Sequence, residues 1–317
     1  MSEKILVYGH KNPDTDSICS AISMAYLKNH IDSDNEYVAR AASELNPETE
    51  YVLERFGVAK PEVVEDISAE STEENPIKVV LVDHNEQAQC VNGIETAKII
   101  EVVDHHKLGT MATLEPITFT TRPVGCTSTL VYGMFKEFGV VPPKEIAGMM
   151  CSAIVSDSML FKSPTCTPLD EKCAREIAEI AGVDLSDLWN GMLKASLNLD
   201  GKTDSDIFYQ DYKQFKGASV AFGAGQILAA NAEDVKMLKD RMLAYLPTAL
   251  ADEKLDFVCL MITDVSADST ELIYEGKDAE AILEKAFGVK SDNQGLYLEG
   301  VVSRKKQLIP PIMAVIG

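Results

Sequence analysis

Positive charge is scarce in this chain. Lys and Arg number 29 against 50 Asp and Glu over 317 residues, a formal net charge of −21. Such a surface repels a phosphate backbone, which excludes generic electrostatic binding of nucleic acid. An anionic substrate would need bound metal or a local basic cluster to reverse the field. No apolar run approaches the roughly 20 residues of a membrane-spanning helix. The opening MSEKILVYGH lacks the charged-then-apolar form of a secretory signal. A cytoplasmic protein with no membrane partner is therefore expected. The seven cysteines form no CxxC pair, which argues against a zinc ribbon and a disulfide framework and predicts reduced, mostly buried thiols. With 46% hydrophobic and 25% charged residues the chain is of globular composition, not disordered or collagen-like.

Its length suggests two domains at about 150 residues each. In the first half, apolar runs at Lys4–Gly9, Tyr37–Ala42, Lys78–Val82 and Ile99–Val103 read as strands. They alternate with helical patterns at Ser17–Leu27, Thr127–Phe138, Lys144–Ile154 and Pro168–Ala181. Near-continuous β-branched runs suit strands covered on both faces, and the alternation predicts an α/β fold with a doubly wound, mainly parallel sheet. The last of these helices carries its own punctuation, with Thr167 as cap, Pro168 first and Gly182 beyond the end. After the amphipathic run Leu185–Ala195 the sequence turns polar. We expect a first domain over 1–195, a linker over 196–206, and a smaller α/β domain with a mixed sheet over 207–317. In that second domain we expect a strand at Ala218–Phe222, a helix at Ala232–Leu246 stopped by Pro247, and a hairpin of Phe257–Thr263 with Glu271–Tyr274. A helix at Asp278–Phe287 and strands at Leu296–Val302 and Ile312–Ile316 follow.

Histidine is the scarcest chemical group, and its placement is not random. Of five histidines, four fall in three segments: Gly9-His10-Lys11-Asn12-Pro13-Asp14-Thr15-Asp16, Asp83-His84-Asn85-Glu86 and Asp104-His105-His106. Each segment follows a strand candidate. Open parallel sheets bind ligands outside the carboxyl ends of their strands, so the three would converge on one crevice. Carboxylates with imidazole suit Mn²⁺, Fe²⁺, Co²⁺ or Zn²⁺. Packed together without metal, the carboxylates would repel one another and rise in pKa. A pair of ions about 3.5–4 Å apart is the usual means of attacking a phosphoryl group.

Each segment alone has a plainer explanation. Asp14-Thr15-Asp16 reads equally as turn and cap chemistry, and His10 as a partly buried histidine. Asp157 could simply end a helix. Ser303-Arg304-Lys305-Lys306-Gln307, the one dense basic cluster, reads as a solvated turn or as an anion clamp. Lys213 by itself is a surface lysine, and Gly223-Ala224-Gly225 a strand bulge. Three strand ends of the same chemistry are what make coincidence a poor account.

The segments GHKNPDTDSICSAI, LVDHNE, VVDHH and SRKKQ, in this order and spacing, resemble the signatures of the family II, manganese-dependent inorganic pyrophosphatases of the DHH phosphoesterase superfamily. The resemblance spans essentially the whole chain. It implies a DHH domain, a linker and a DHHA2 domain that closes over a two-metal site. By position it makes His10, Asp14, Asp16, Asp83, His105 and Asp157 the metal ligands. His10 and Asp14 would take one ion, Asp16, His105 and Asp157 the other, and Asp83 both. It places His106, Lys213, Arg304 and Lys305 around the phosphates, with His106, Asp83 and Asp104 serving catalysis and Asp104 orienting a ligand histidine. Two Mn²⁺ per subunit are implied, with Co²⁺ a substitute and further Mg²⁺ arriving with pyrophosphate. The implied reaction is in-line attack by a metal-bridging hydroxide, in a homodimer joined through the N-terminal sheets. An exopolyphosphatase or short-oligonucleotide phosphodiesterase of the same superfamily is the nearest alternative. The intact Asp104-His105-His106 argues against the first, and the acidic surface without an aromatic-and-basic strand groove against the second. A binding module without turnover would be expected to have a broken ligand set, and none is broken here.

Overall fold

The computed structural model describes residues 3–72, 74–196 and 201–317, which separate into two compact units, Met1–Ala195 and Ser196–Gly317. The first is built on strands β1 (Glu3–Tyr8), β2 (Asn35–Ala41), β3 (Glu62–Val63), β4 (Lys78–Val82), β5 (Lys98–Asp104) and β6 (Thr118–Thr121). All neighbours pair in parallel, in the order β3-β2-β1-β4-β5-β6. This is a doubly wound arrangement, with its reversal of strand order between β1 and β4, where a crevice opens. The apolar runs become the central strands because parallel strands are covered on both faces. Ile5–Tyr8 and Val79–Val82 are all at most 1% exposed. Fully burying each such aliphatic side chain contributes roughly 1.5–3 kcal/mol.

Helices α1 (Thr15–Ile31), α2 (Pro47–Phe56), α3 (Thr127–Glu137), α4 (Lys144–Ser158), α5 (Pro168–Ala181) and α6 (Leu185–Ser196) complete this unit. The cap of α5 is as expected, a reciprocal box between Thr167 and Asp170 with Gly182 left-handed at the other end. The sequence reading passed over α2, β3 and β6, which are short or polar.

In the second unit, β7 (Tyr212–Lys216), β8 (Ala221–Ala229), β9 (Phe257–Asp264), β10 (Ser269–Gly276) and β11 (Gly295–Glu299) form a sheet of order β11-β10-β9-β8-β7. Only β8 and β9 are parallel, joined through α8 (Ala232–Glu253), so the sheet is mixed. One apolar layer lies with α7 (Asp204–Phe208) and α8, the other with α9 (Ala279–Phe287) and α10 (Ile309–Ile316).

Three expectations are corrected here. Pro247 does not stop α8, which runs on to Glu253, because Leu246 and Ala249 on either side of it are fully buried against the sheet. Ile312–Ile316 is helix rather than strand: Pro310 and Pro311 sit at its start, where a missing N–H costs nothing. Gly223 and Gly225 lie in regular register within β8, with no bulge. Gly223 leaves room for the Tyr212 side chain, whose hydroxyl oxygen a Cβ would meet at 1.8 Å and whose ring at 2.4 Å. Of the linker expected at 196–206, residues 197–200 lie outside the described residues, Ser196 ends α6, and Thr203 caps α7.

Candidate metal centre

Three strand ends meet at the crevice. β1 runs into Gly9-His10 and then the cap of α1. Asp14 is that cap: its Oδ1 accepts from Ser17 N at 2.9 Å while Oδ2 stands 3.4 Å from His10 Nε2. β4 ends at Asp83, 1% exposed, with φ of +62°. A non-glycine residue in the left-handed region is uncommon and marks a conformation imposed by its surroundings. β5 ends at Asp104, followed by His105 and His106.

Asp83 is the centre of the cluster. Its Oδ2 lies 3.5 Å from His10 Nε2, and its Oδ1 lies 3.4 Å from His105 Nε2 and 3.7 Å from His106 Nδ1. Thr127 Oγ1 also donates to Oδ1, at 3.0 Å. Backbone carbonyls fix the tautomers. His10 Nδ1 donates to Lys11 O at 2.7 Å and His105 Nδ1 to Val124 O at 2.9 Å. A carbonyl only accepts, so both rings carry hydrogen on Nδ1 and turn Nε2 to the carboxylates.

Asp16 is completely buried at the start of α3, where it accepts from Thr127 N (2.6 Å), Ser128 N (3.0 Å), Ser128 Oγ (2.9 Å) and Ser20 Oγ (2.7 Å). Asp157, in the last turn of α4, groups with Asp16 and with Cys126. The cysteine was read from sequence only as a buried thiol; nothing in its spacing marks it as a neighbour of these carboxylates.

Charge explains the titration of the cluster. Burial raises Asp157 well above the carboxylate range, and Asp16, Asp14 and Asp83 push it the same way. Asp16 is raised to about 6 by burial and then by Asp83. Burial would also raise Asp83, but hydrogen bonds from His10 and His105 hold it well below its usual value. The imidazoles answer in kind. Burial opposes their charge, yet Asp14 and Asp83 keep His10 well above 6.5, and Asp83 lifts His105 to about 9. His84, by contrast, is driven to about 4 by burial, with its Nδ1 facing Val82 O and Nε2 without a partner. Without metal the site is thus balanced by protons, which a divalent cation would replace. Carboxylates and imidazole Nε2 atoms in this density suit Mn²⁺ and its first-row neighbours.

Asp104 departs from expectation. Its hydrogen bonds are with His106 and not with His105: the His106 backbone N and Nδ1 approach its Oδ1 at 3.0 and 2.9 Å. Asn85 Nδ2 donates to the other oxygen. Burial would raise Asp104, but these bonds hold it below the usual range.

Three of the four expected phosphate ligands, Lys213, Arg304 and Lys305, lie in the second unit. Lys213 on β7 is exposed and stands opposite Ala224 of β8. Arg304 opens a single π-helical turn, Arg304–Leu308, capped by Ser303. Its guanidinium donates to the Ala224 carbonyl at 3.3 Å and to Asp211 Oδ1 at 2.6 Å. Lys213 and Arg304 therefore share one edge of this sheet, and Lys305 follows in the same turn.

Residues 4–154 match the DHH family, N-terminal domain, and residues 190–315 the DHHA2 domain. A manganese-dependent inorganic pyrophosphatase of Methanothrix thermoacetophila is 44% identical over 98% of this chain and 98% of its own. One from Bacillus subtilis is 43% identical over 97% of each. A crystal structure from Methanococcus jannaschii, assigned to the family II inorganic pyrophosphatases, superposes with a TM-score of 0.82 at 34% identity, covering 98% of this chain and 99% of that one.

Proposed function

The chain belongs to the family II, manganese-dependent inorganic pyrophosphatases, with a DHH and a DHHA2 domain, and from that premise we propose how its residues divide the hydrolysis of pyrophosphate into two phosphates. The observation that carries the reading is the division of Asp83. One oxygen faces His10 and the other faces His105, which is the disposition of a carboxylate serving two cations at once.

His10 and Asp14 hold one ion on this reading, Asp16, His105 and Asp157 the second, and Asp83 both. The two Mn²⁺ ions would acidify a water and withdraw charge from the phosphoryl oxygens. Asp104 keeps the Nδ1 hydrogen of His106 directed at itself, leaving Nε2 to bond or protonate an oxygen of the substrate. Lys213, Arg304 and Lys305 neutralise the phosphate that leaves, Arg304 through a planar fork and the lysines as point charges. A linker at 196–206 would let 207–317 close over the site and exclude water. Co²⁺ would substitute for Mn²⁺, and Mg²⁺ would accompany the substrate.

A cytoplasmic homodimer is part of the same proposal. Supporting it are seven free cysteines, which suit a reducing compartment, and the exposed edge strand β6, whose unpaired backbone could accept a second copy. Among the described residues no helix is long and apolar enough to cross a membrane.

The test is phosphate release by chelator-stripped protein reconstituted with Mn²⁺, Co²⁺ or Mg²⁺. Pyrophosphate, tripolyphosphate and a dinucleotide are offered in parallel. Pyrophosphate cleavage strongest with a bound transition metal and Mg²⁺ in solution is expected. Preference for either other substrate would move the function to the exopolyphosphatase or phosphodiesterase reading, and silence on all three despite bound metal would refute turnover.

A further inference from the structure

Asp170 lies outside the strand-end motifs the sequence singles out, yet its carboxylate accepts four hydrogen bonds. It is completely buried in the first turn of α5. Its Oδ2 accepts from Gly125 N at 2.8 Å, Thr167 N at 2.7 Å and Thr167 Oγ1 at 2.6 Å, and its Oδ1 from Thr129 Oγ1 at 2.6 Å. The Thr167 bonds are ordinary helix capping. The Gly125 bond is not, because Gly125 N–H and Val124 C=O are the two ends of one peptide group. That Val124 carbonyl accepts the Nδ1 hydrogen of His105 at 2.9 Å.

We propose that Asp170 is a positioning residue for the metal centre, acting on His105 through the Val124–Gly125 peptide. A carboxylate at the N–H end and an imidazole N–H at the C=O end polarise the peptide in the same sense, so each bond strengthens the other. The effect is to fix the ring, keep its hydrogen on Nδ1 and present Nε2 to Asp83. Metal-ligating histidines are commonly backed by a carboxylate directly; here one peptide group is interposed. The corresponding peptide behind His10, Lys11–Asn12, ends on a neutral hydroxyl instead: Lys11 O accepts from His10 Nδ1 at 2.7 Å and Asn12 N donates to Ser43 Oγ at 3.2 Å. Gly125 is what lets the loop approach closely enough: a Cβ there would stand 2.9 Å from Asp170 Oδ2 and 3.2 Å from Cys166 Cα.

The proposal rests on His105 being a ligand, and the experiment separates the two claims. Full-length metal-free protein, 15N-labelled on histidine, glycine and threonine, is titrated with Zn²⁺, a diamagnetic ion the same donors accept. Coordination should shift His105 Nε2 with Nδ1 still protonated. The Gly125 amide proton should move downfield, while the Thr167 amide, bonded to the same carboxylate oxygen, stays in place. A His105 ring unmoved by Zn²⁺ would overturn the ligand assignment and the relay together. A His105 that moves while Gly125 does not would leave the ligand and overturn the relay. As a second arm, Asp170→Asn should weaken Zn²⁺ binding about 10-fold or more. Thr129→Val, which removes a different bond to the same carboxylate, should leave affinity near the parent value. Equal losses in both variants would mean general loosening and would also overturn the proposal.

Discussion

Gly9 gives the sharpest test of how the metal centre is built, because it joins β1 to His10 and has no room for a side chain. A Cβ on Gly9 would meet Ser17 Oγ at 1.9 Å and, less forgivingly, the Ser17 carbonyl oxygen at 2.7 Å and carbon at 2.9 Å. Gly9→Ala therefore forces the end of β1 away from the first turn of α1. Overpacking costs typically 1–3 kcal/mol, and contact with backbone argues for the upper end. At roughly 2–4 °C per kcal/mol for a unit of this size, the melting temperature of the first unit should fall by about 6–12 °C. The displaced segment carries His10 on one side of the contact and Asp14 and Asp16 on the other. A misplacement near 1 Å lowers kcat/KM about 100-fold. Ser17→Ala in the same background makes the reasoning specific. The Ser17 hydroxyl is buried without a partner, so its removal alone should cost little. It relieves the 1.9 Å contact but not the carbonyl contact, and rescue should be partial. Differential scanning calorimetry and steady-state rates of pyrophosphate hydrolysis read the two quantities. An unchanged Gly9→Ala, or full rescue by Ser17→Ala, would refute the claim that backbone approach fixes the site.

Metal binding should expel protons. His105 is raised to about 9, so at pH 7 it is protonated in the metal-free protein, and its proton must leave before Nε2 can coordinate. Such a group is about 99% protonated at pH 7 and half protonated at pH 9, so binding should be about 50-fold weaker at pH 7 than at pH 9; calorimetry in buffers of different ionisation enthalpy should show proton release, and none at pH 7 would contradict the assignment. His106→Asn should lower kcat by about 10²–10⁴ while leaving Mn²⁺ affinity nearly intact, since the ring contacts Asp104 more closely than Asp83; a parallel loss of metal would instead make it a ligand. Pro247→Ala should raise the melting temperature of the second unit, because it restores a helix hydrogen bond inside α8 and removes a residue costing up to about 3 kcal/mol there. Arg304→Lys should raise the KM for pyrophosphate, since an ammonium cannot replace the planar fork; an unchanged KM would place Arg304 outside the substrate's reach and leave it to its bonds with Asp211 and the Ala224 carbonyl.

The parts of this molecule legible in sequence are those where one physical demand dominates. Strands β1, β4 and β5 are covered on both faces, so they can only be apolar runs, and the polar residues that end them stand out. The order of strands in the sheet was not legible, because parallel pairing leaves no turn signal between neighbours. Where two demands act on one residue, sequence offers a false choice. Asp14 read either as a helix cap or as a metal ligand. The structure places one oxygen on Ser17 N and the other by His10, so capping is what aims the remaining oxygen. Asp104 was legible as a helper but not as the helper of His106, since adjacent residues of a strand end diverge in direction. Asp170 was invisible because it acts through a backbone group, and a peptide N–H carries no residue-specific signal. Gly125 next to Val124 is the nearest thing to a trace of it. The same reasoning explains the two helical errors in the second unit. Local propensity at Pro247 and Ile312–Ile316 points away from helix, and at these places burial against the sheet or position in the first turn sets the outcome. The carboxylates and imidazoles that cluster can thus be read from strand ends, whereas what aims them is carried by caps and peptide groups that only the folded chain brings together.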